Sequence, residues 1–491
     1  MLHIRSNVKV IKQNISFNPD ESRVIAKRLH INKVRTMKII ERICSMPEEK
    51  RKRLLDEILK NFEYRHKNLK RIIKDNFDKV AADMNINDNC DLSIDNKLLI
   101  GAYFTNEYSI EAAALFNPSI VPDPFQNHTK PDELKVIISF RAVGEGHMSS
   151  VVFRSGILNK NGNIRMNETS HVVERANLIE SPKYKKEDFI LKMQEINEFE
   201  PIKGIFDQLL DDFDLKELNE AVDWFKKANP ITDDVDHAIQ NLYWLAKSNY
   251  EIEFDDSGNI SERVIFPRMH TDIKAIEDVR FTPFNDNKDH AIYYGTYTAY
   301  NGFSILPQLL ETRDFYNFRI RTMTGPGSQN KGMALFPEKI NGKYAMISRN
   351  DNENLYIMYS DNAYYWENPQ LLREPRYEWE FIQIGSSGPP LKTEKGWLAL
   401  THAVGAMRMY TIGAILLDLN NPLKIIGEIK EPILIPLESE RHGYVPNVVY
   451  SCGGLIHNNY LILPYAASDT RSGIVKFKLN ELLENMSPPE N

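Results

Sequence analysis

Ala275-Ile-Glu-Asp-Val-Arg-Phe281, followed by Tyr293-Tyr-Gly-Thr-Tyr-Thr-Ala-Tyr-Asn301, sets a carboxylate pair and an arginine at the start of an aromatic segment with strand texture. The same texture recurs on both sides. Val136-Ile-Ile-Ser-Phe, Val151-Val-Phe-Arg, Ala291-Ile-Tyr-Tyr, Tyr344-Ala-Met-Ile-Ser, Leu355-Tyr-Ile-Met-Tyr, Trp397-Leu-Ala-Leu-Thr and Leu461-Ile-Leu-Pro-Tyr all read as short strands. Asn161-Gly, Asn341-Gly and Asp256-Ser-Gly supply turn signals beside or between them. Many short strands at this spacing imply a sandwich, barrel or propeller. A mainly β propeller is the expected form, because radial blades let residues from distant parts of a chain converge on one central pocket. No internal repeat marks the blades, so periodicity alone does not count them.

Two other stretches carry a helical period. From about Asn18 to Asp83, Asn18-Pro-Asp-Glu is expected to open a capped helix, and Met37-Lys-Ile-Ile-Glu-Arg-Ile-Cys and Leu54-Leu-Asp-Glu-Ile-Leu continue the pattern. Pro47 occupies a favoured first-turn position. From about Lys183 to Asn249, Ile205-Phe-Asp-Gln-Leu-Leu and Ala238-Ile-Gln-Asn-Leu-Tyr-Trp-Leu-Ala repeat it. Neither stretch carries a motif that suggests chemistry. The expected organisation is a helical N-terminal region over 1–95, a first β portion over 96–182, a helical insertion over 183–250 and the remaining β portion over 251–485.

The chain has 491 residues, 42% of them hydrophobic, enough to bury a large core. A net charge of −7 argues against non-specific nucleic-acid binding. Cys44, Cys90 and Cys452 are far apart and lack CxxC spacing, so neither a disulfide framework nor a zinc site is expected. No metal-binding motif appears, and no cofactor is expected. With no signal-peptide pattern and no apolar run long enough to span a bilayer, the expected location is cytoplasmic, away from membranes.

Aromatic surfaces bearing paired carboxylates hold sugars and cut glycosidic bonds, although strand-end carboxylates are also commonly solvated or salt-bridged. Lys331 lies just before one strand and Arg349 ends the next, so a strand pair would bring two cations to one end of a blade. That arrangement suits a doubly charged phosphate, and it equally suits ordinary surface ion pairs. His402 follows an apolar strand, where a histidine is more often a satisfied core residue than a ligand. Gly325-Pro-Gly-Ser-Gln-Asn-Lys331-Gly lacks the ending of a nucleotide phosphate loop, and Gly144-Glu-Gly146 lacks the third glycine of a dinucleotide fingerprint.

Phe116-Asn-Pro-Ser119, Ile276-Glu-Asp-Val-Arg280, Leu335-Phe-Pro-Glu-Lys-Ile-Asn-Gly-Lys-Tyr344, Gly388-Pro-Pro and Gly396-Trp occur in an order that continues through three further motifs. These are Gly413-Ala-Ile-Leu-Leu-Asp-Leu-Asn-Asn-Pro422, Tyr444-Val-Pro-Asn-Val-Val-Tyr450 and Pro464-Tyr-Ala-Ala-Ser-Asp469. In this ordered set the chain resembles glycoside hydrolase family 130, the mannoside phosphorylases and related β-mannosidases, over roughly 100 to 180 and 250 to 480. The resemblance implies a five-bladed β-propeller and inverting cleavage of β-mannosides. Asp278 matches the catalytic acid, within a motif where Val279 replaces the usual proline. The acid is expected to relay a proton through a sugar hydroxyl while inorganic phosphate, the co-substrate, attacks the opposite face to give α-mannose 1-phosphate. Such a glycosyltransferase-type phosphorylase needs an acid with a raised pKa, and Tyr297 and Tyr300 are expected to supply a desolvating pocket.

By the same resemblance Lys331, Arg349 and His402 match the phosphate-binding positions and fill them with cations. Asn117, Arg141, Arg280, Tyr297, Tyr300 and Asp469 are the expected mannoside-binding residues, with Tyr103 and His147 as further pocket candidates. Asn117 and Asp469 also suit turns, and Arg141 a solvated strand end. An inverting β-mannosidase would instead need a carboxylate base such as Glu338 or Glu353. A non-catalytic carbohydrate-binding propeller is the other reading, against which the retention of Asp278 counts. β-1,2-linked manno-oligosaccharides are the first expected substrate and β-1,4-linked ones the next. The helical blocks are expected to pack on the propeller or to form a homo-oligomer interface near the pocket mouth.

Overall fold

The computed structural model describes residues 8–86, 92–127, 129–179, 183–255, 258–267, 275–285, 291–300 and 305–489. Cys90, Asn301 and the Asp256-Ser turn lie outside the described residues. The protein is mainly β. A twelve-stranded sheet contains Ala114–Pro122, Leu134–Val143, Ser149–Leu158, Ala275–Phe284, Ile292–Tyr300, Ile305–Thr312 and Asn317–Thr322 as its long strands. Its two halves meet through one parallel pairing, Ala275 with Ser149. A four-stranded sheet follows, built on Tyr344–Ser348 and Leu355–Ser360, and then a five-stranded sheet around Trp397–Val404 and Tyr410–Leu417. Another five-stranded sheet joins Tyr460–Ala467 and Arg471–Lys478 to Ile11–Phe17 from the opposite end of the chain.

Hydrogen bonds link these sheets in succession. Phe281 N–H donates to Ser119 Oγ between the halves of the large sheet, and Thr282 Oγ donates to Leu335 O of the next. Ile384 N–H donates to Glu353 O, and Tyr410 N–H to Asn447 O. The series returns to its start where Cys452 N–H donates to Pro118 O and Ser119 bridges Gly453. Apolar clusters pack the sheets, and in the one formed by the two halves of the large sheet the ring of Phe153 contacts Phe281, Phe315 and Phe318. Burial of such rings is the main favourable term holding the sheets face to face.

The N-terminal region departs from the expected helix. Asn18-Pro-Asp-Glu does not open one: the Asp20 carboxylate accepts from the backbone and hydroxyl of Ser22, closing a turn. Val24–Arg28 then pairs antiparallel with Thr105–Ser109. Next to the turn, Arg23 is fully buried and ion-pairs with Glu111 (2.8 Å), which also takes Arg154 (2.8 Å) from the large sheet. This nonlocal triad overrides a local cap signal. Ile11–Phe17 is likewise strand, so the region 1–95 is not helical throughout.

Helices do occupy Lys33–Cys44, Glu48–Phe62 and Leu69–Asp83, and a further one, Ile94–Tyr103, extends the block past residue 95. Gly101 lets this last helix touch Leu69–Asp83 closely, since a Cβ there would lie 1.9 Å from Ile73 O. Between the strands ending at Ile179 and starting at Tyr250 lie Lys186–Glu195, Leu215–Ala228 and Asp233–Ser248. The last two start on side-chain caps from Asp214 and Thr232. No helix among the described residues is long and apolar enough to cross a membrane.

Candidate active site

β-Bulges aim the central groups. The register between Ala275–Phe284 and Ile292–Tyr300 shifts between Glu277 and Arg280, and Asp278 there has φ +57°. A second bulge, between Phe116 and Ser119, holds Asn117 at φ +50°, and Asp469 in its turn has φ +51°. Left-handed backbone is uncommon outside glycine, though Asn and Asp tolerate it best, and it concentrates at sites where a side chain must be re-aimed. Asn117 Nδ2 donates to Asp278 Oδ1 at 2.7 Å, across 161 residues of sequence. Val279, at the position of the family's proline, is buried in an apolar cluster, and Gly295 opposite it leaves the room.

Around Asp278 the charges alternate. Arg141 donates to Glu277 at 2.9 Å and lies 3.5 Å from Asp278 Oδ1. Lys331 reaches the other Glu277 oxygen at 3.3 Å. Arg280 donates back to Asp278 O at 3.0 Å and to the Tyr450 hydroxyl at 2.5 Å. Tyr450 in turn packs its ring 4.8 Å from that of His402. Pairing of Ala334 with Ile347 brings Lys331 and Arg349 to the same end of their sheet.

The protonation states differ from expectation at two positions. Burial pushes the Asp278 carboxyl upward, but Arg141, Arg280, the Asn117 hydrogen bond and Lys331 outweigh it and hold its pKa below the ordinary value. An aromatic pocket raising Asp278 is therefore corrected: the Tyr297 ring is packed into an apolar cluster, and guanidinium groups, not rings, surround the carboxylate. His402 is not a cation either. Burial, then Arg349 and Arg280, press its pKa well below 6.5. Its Nδ1 lies 3.0 Å from Ser386 O and its Nε2 3.3 Å from Arg349, a network that assigns a neutral ring donating to the carbonyl and accepting from the arginine.

Asp469 moves the opposite way. Burial first, then repulsion from Asp278, push its carboxyl up to about 6, against the pull of Arg141 and Arg408. Among the described residues, the Nε atoms of Arg141, Arg280 and Arg349 are buried with no hydrogen-bond partner. Arg349 meets a histidine rather than a carboxylate. Buried, under-satisfied guanidinium groups are suited to accept hydrogen-bonding anions.

The other sequence candidates fall as follows. Tyr297 shares a narrow cleft with Arg280 and Lys331, and Tyr300 ends its strand, half-buried. The His147 ring lies tilted 5.6 Å from that of the exposed Tyr444, in the segment that follows the Arg141 strand. Tyr103 lies elsewhere, in an apolar cavity of about 370 Å³ in the helical block, which none of the site residues lines. Glu338 is held by Lys392 (2.6 Å) and Glu353 is exposed. Sequence reading did not single out Glu277, which bridges Arg141 and Lys331, or Tyr450, although the one adjoins Asp278 and the other ends a quoted motif. Among the described residues, no group of three or more His, Cys, Asp and Glu side chains is arranged to hold a metal ion.

Comparison with known proteins places the chain among mannoside phosphorylases. A family model described as beta-1,4-mannooligosaccharide phosphorylase matches residues 244–487. The 1,2-beta-oligomannan phosphorylase of Thermoanaerobacter sp. is 31% identical over 265 residues, which cover 51% of this chain and 84% of that protein. A beta-1,2-mannobiose phosphorylase of the same organism is 38% identical over 214 residues (41% of this chain, 66% of that one). Its counterpart from Listeria innocua is 31% identical over 230 residues (45% and 63%), so the chain spans just under two thirds of these two. The solved structure of the Listeria innocua enzyme with beta-1,2-mannobiose aligns over 77% of this chain and 92% of its own, with 22% identity and a TM-score of 0.45. By its likeness to a relative over most of that relative's length, the chain belongs to glycoside hydrolase family 130.

Proposed function

We propose that this protein is an inverting phosphorylase that cleaves β-mannosides with inorganic phosphate and releases α-mannose 1-phosphate. The observation that carries the reading is Arg349, a buried guanidinium that meets neutral His402 instead of a carboxylate, on the same sheet end as Lys331. A phosphate dianion held by these two cations attacks the anomeric carbon as the bond to the glycosidic oxygen breaks, with inversion. Asp278 gives a proton to a sugar hydroxyl, which passes its own to the departing oxygen. Asp278 is ionised in the unliganded site. Binding of sugar and phosphate removes water and adds negative charge, and both effects raise its pKa towards what an acid requires.

Asn117, Arg141 and Asp469 surround Asp278 as hydroxyl-binding groups, with Arg280 holding the bulge and Tyr297 and Tyr300 flanking the cleft. His402 serves by fixing Arg349. Hydrolysis is the weaker reading, since Glu338 is occupied at the surface and Glu353 is exposed. We assign β-1,2-linked manno-oligosaccharides as substrates on the names of the first relatives, a cytoplasmic location, and no cofactor beyond phosphate as co-substrate. The circuit of inter-sheet hydrogen bonds, with the large sheet divided at the parallel pairing of Ala275 with Ser149, supports five blades drawn from 96–182 and 251–485. Ile11–Phe17 would complete the last blade, and the helices of 183–250 would form an insertion.

The test is incubation with β-1,2- and β-1,4-mannobiose, with and without phosphate, assaying mannose 1-phosphate and free mannose separately. Phosphate-dependent mannose 1-phosphate that disappears in Asp278→Asn is the expected result. Free mannose released at the same rate without phosphate refutes it.

A further inference from the structure

Two sets of hydrogen bonds tie the helical block over 183–250 to the site's surroundings. At the end of Asp233–Ser248, Asn249 accepts from Thr322 N–H at 2.9 Å and donates to the Thr322 hydroxyl at 3.3 Å. Three residues past the end of that strand, Gly325 N–H donates at 2.8 Å to Oε2 of Glu195, the last residue of Lys186–Glu195. Its other oxygen is held by Lys192, itself 4% exposed, at 2.6 Å. The Lys192 ammonium thus fixes the carboxylate in the orientation that serves Gly325.

Gly325 starts the loop that delivers Lys331. Its φ of +93° suits glycine, and a Cβ there would stand 2.2 Å from Trp366 O, so the backbone can pass between Trp366 and Glu195 only as glycine. Gly327 N–H then donates to Trp366 O, and Asn350, next to Arg349, donates to Gly327 O at 2.7 Å. Asn330 donates to Asn350 O, and the next residue, Lys331, meets Glu277. One connected set of hydrogen bonds therefore joins Glu195 to the backbones that carry both Lys331 and Arg349.

We propose that Glu195 is a positioning residue for the phosphate site, through which the helical block holds the 325–332 loop in the shape that presents Lys331 beside Arg349. This rests on the assignment of those two cations to phosphate made above. A charge-assisted hydrogen bond to a part-buried backbone N–H is among the stronger anchors available to a loop, and its loss lets Lys331 sample positions off the anion.

The experiment measures kcat and separate KM values for phosphate and β-1,2-mannobiose in wild type, Glu195→Ala, Glu195→Asp, Glu195→Gln and Lys331→Ala. Glu195→Ala is expected to raise the phosphate KM about fivefold to tenfold and to leave the mannobiose KM within about twofold. Glu195→Asp keeps the charge and the Lys192 pair but falls short of Gly325. It should show the same selective rise even if the alanine variant folds poorly. Glu195→Gln has one acceptor oxygen for the two donors, Lys192 and Gly325 N–H, so its phosphate KM should fall between those of wild type and Glu195→Ala. An unchanged phosphate KM in Glu195→Asp, or equal rises in both KM values, overturns the proposal. If Lys331→Ala also leaves the phosphate KM unchanged, the phosphate assignment falls first and the proposal with it. A rise in Lys331→Ala alone removes only the role of Glu195.

Discussion

Replacing Arg349 by methionine separates a binding cation from a structural one. In the free protein Arg349 is 9% exposed, its Nε has no partner among the described residues, and burial followed by Arg280 pulls its pKa down from the usual value. The native state therefore holds a desolvated charge that no carboxylate contacts directly and that Tyr450, Tyr410 and Asp351 offset only in part, a situation that costs stability. Methionine fills similar volume without the charge, so Arg349→Met should raise the unfolding free energy by about 1 kcal/mol, or leave it unchanged, in phosphate-free buffer.

With phosphate bound the balance reverses. A unit charge about 4 Å from a doubly charged anion, at an effective dielectric near 20, gains roughly 8 kcal/mol before desolvation is subtracted. Truncating such buried pairs typically costs about 2–5 kcal/mol, which places the rise in phosphate KM at about thirtyfold or more. Thermal denaturation with and without phosphate, together with initial rates at varied phosphate, measures both sides. Wild type should be stabilised by phosphate and Arg349→Met should not. A variant that melts several degrees lower without phosphate, yet keeps its phosphate KM, would show Arg349 to be a structural ion-pair residue and refute the reasoning.

Other perturbations probe the same framework. The Asp469 carboxyl rises from 3.8 to about 6 on folding, so between those values the native chain holds a proton that the unfolded chain has lost, and stability falls as pH rises through that window. Asp469→Asn removes the loss: the variant should exceed wild type by up to about 3 kcal/mol near pH 8 and match it near pH 3.5 in denaturant titrations, and equal gains at both pH values would contradict the assignment. Glu111 holds two buried arginines, so Glu111→Ala should cost about 3–5 kcal/mol, and a shift in melting below about 1 °C would disprove the triad's role. Helix propensity alone predicts that Gly101→Ala gains about 1 kcal/mol, but contact with Ile73 O at 1.9 Å predicts a loss of about 1–3 kcal/mol, and the sign of the measured change decides between them.

Strand texture was legible wherever it was local. The alternation and bulk of Tyr293–Tyr300, Trp397–Thr401 and Leu461–Tyr465 need no distant partner to favour extended backbone, and the structure has strands there. Lys331 and Arg349 could be brought to one sheet end because a single short hairpin separates them. Asn18-Pro-Asp-Glu misled for the converse reason: its cap signal is local, whereas the Arg23–Glu111–Arg154 triad and the pairing with Thr105–Ser109 that decide the segment lie 80 and more residues away.

The sequence by itself determined the family, through motifs whose order survives without any knowledge of distance, and with it the expectation that Asp278 and its companions form the site. Only the tertiary structure decided their states. Asp278 is depressed because Arg141, Asn117 and Lys331 come to it from separate strands and loops, and His402 is neutral because Arg349 and Arg280 flank it inside the core. Whether a carboxyl or an imidazole is charged depends on through-space charge and on exclusion of water, and neither is a property of the neighbouring letters.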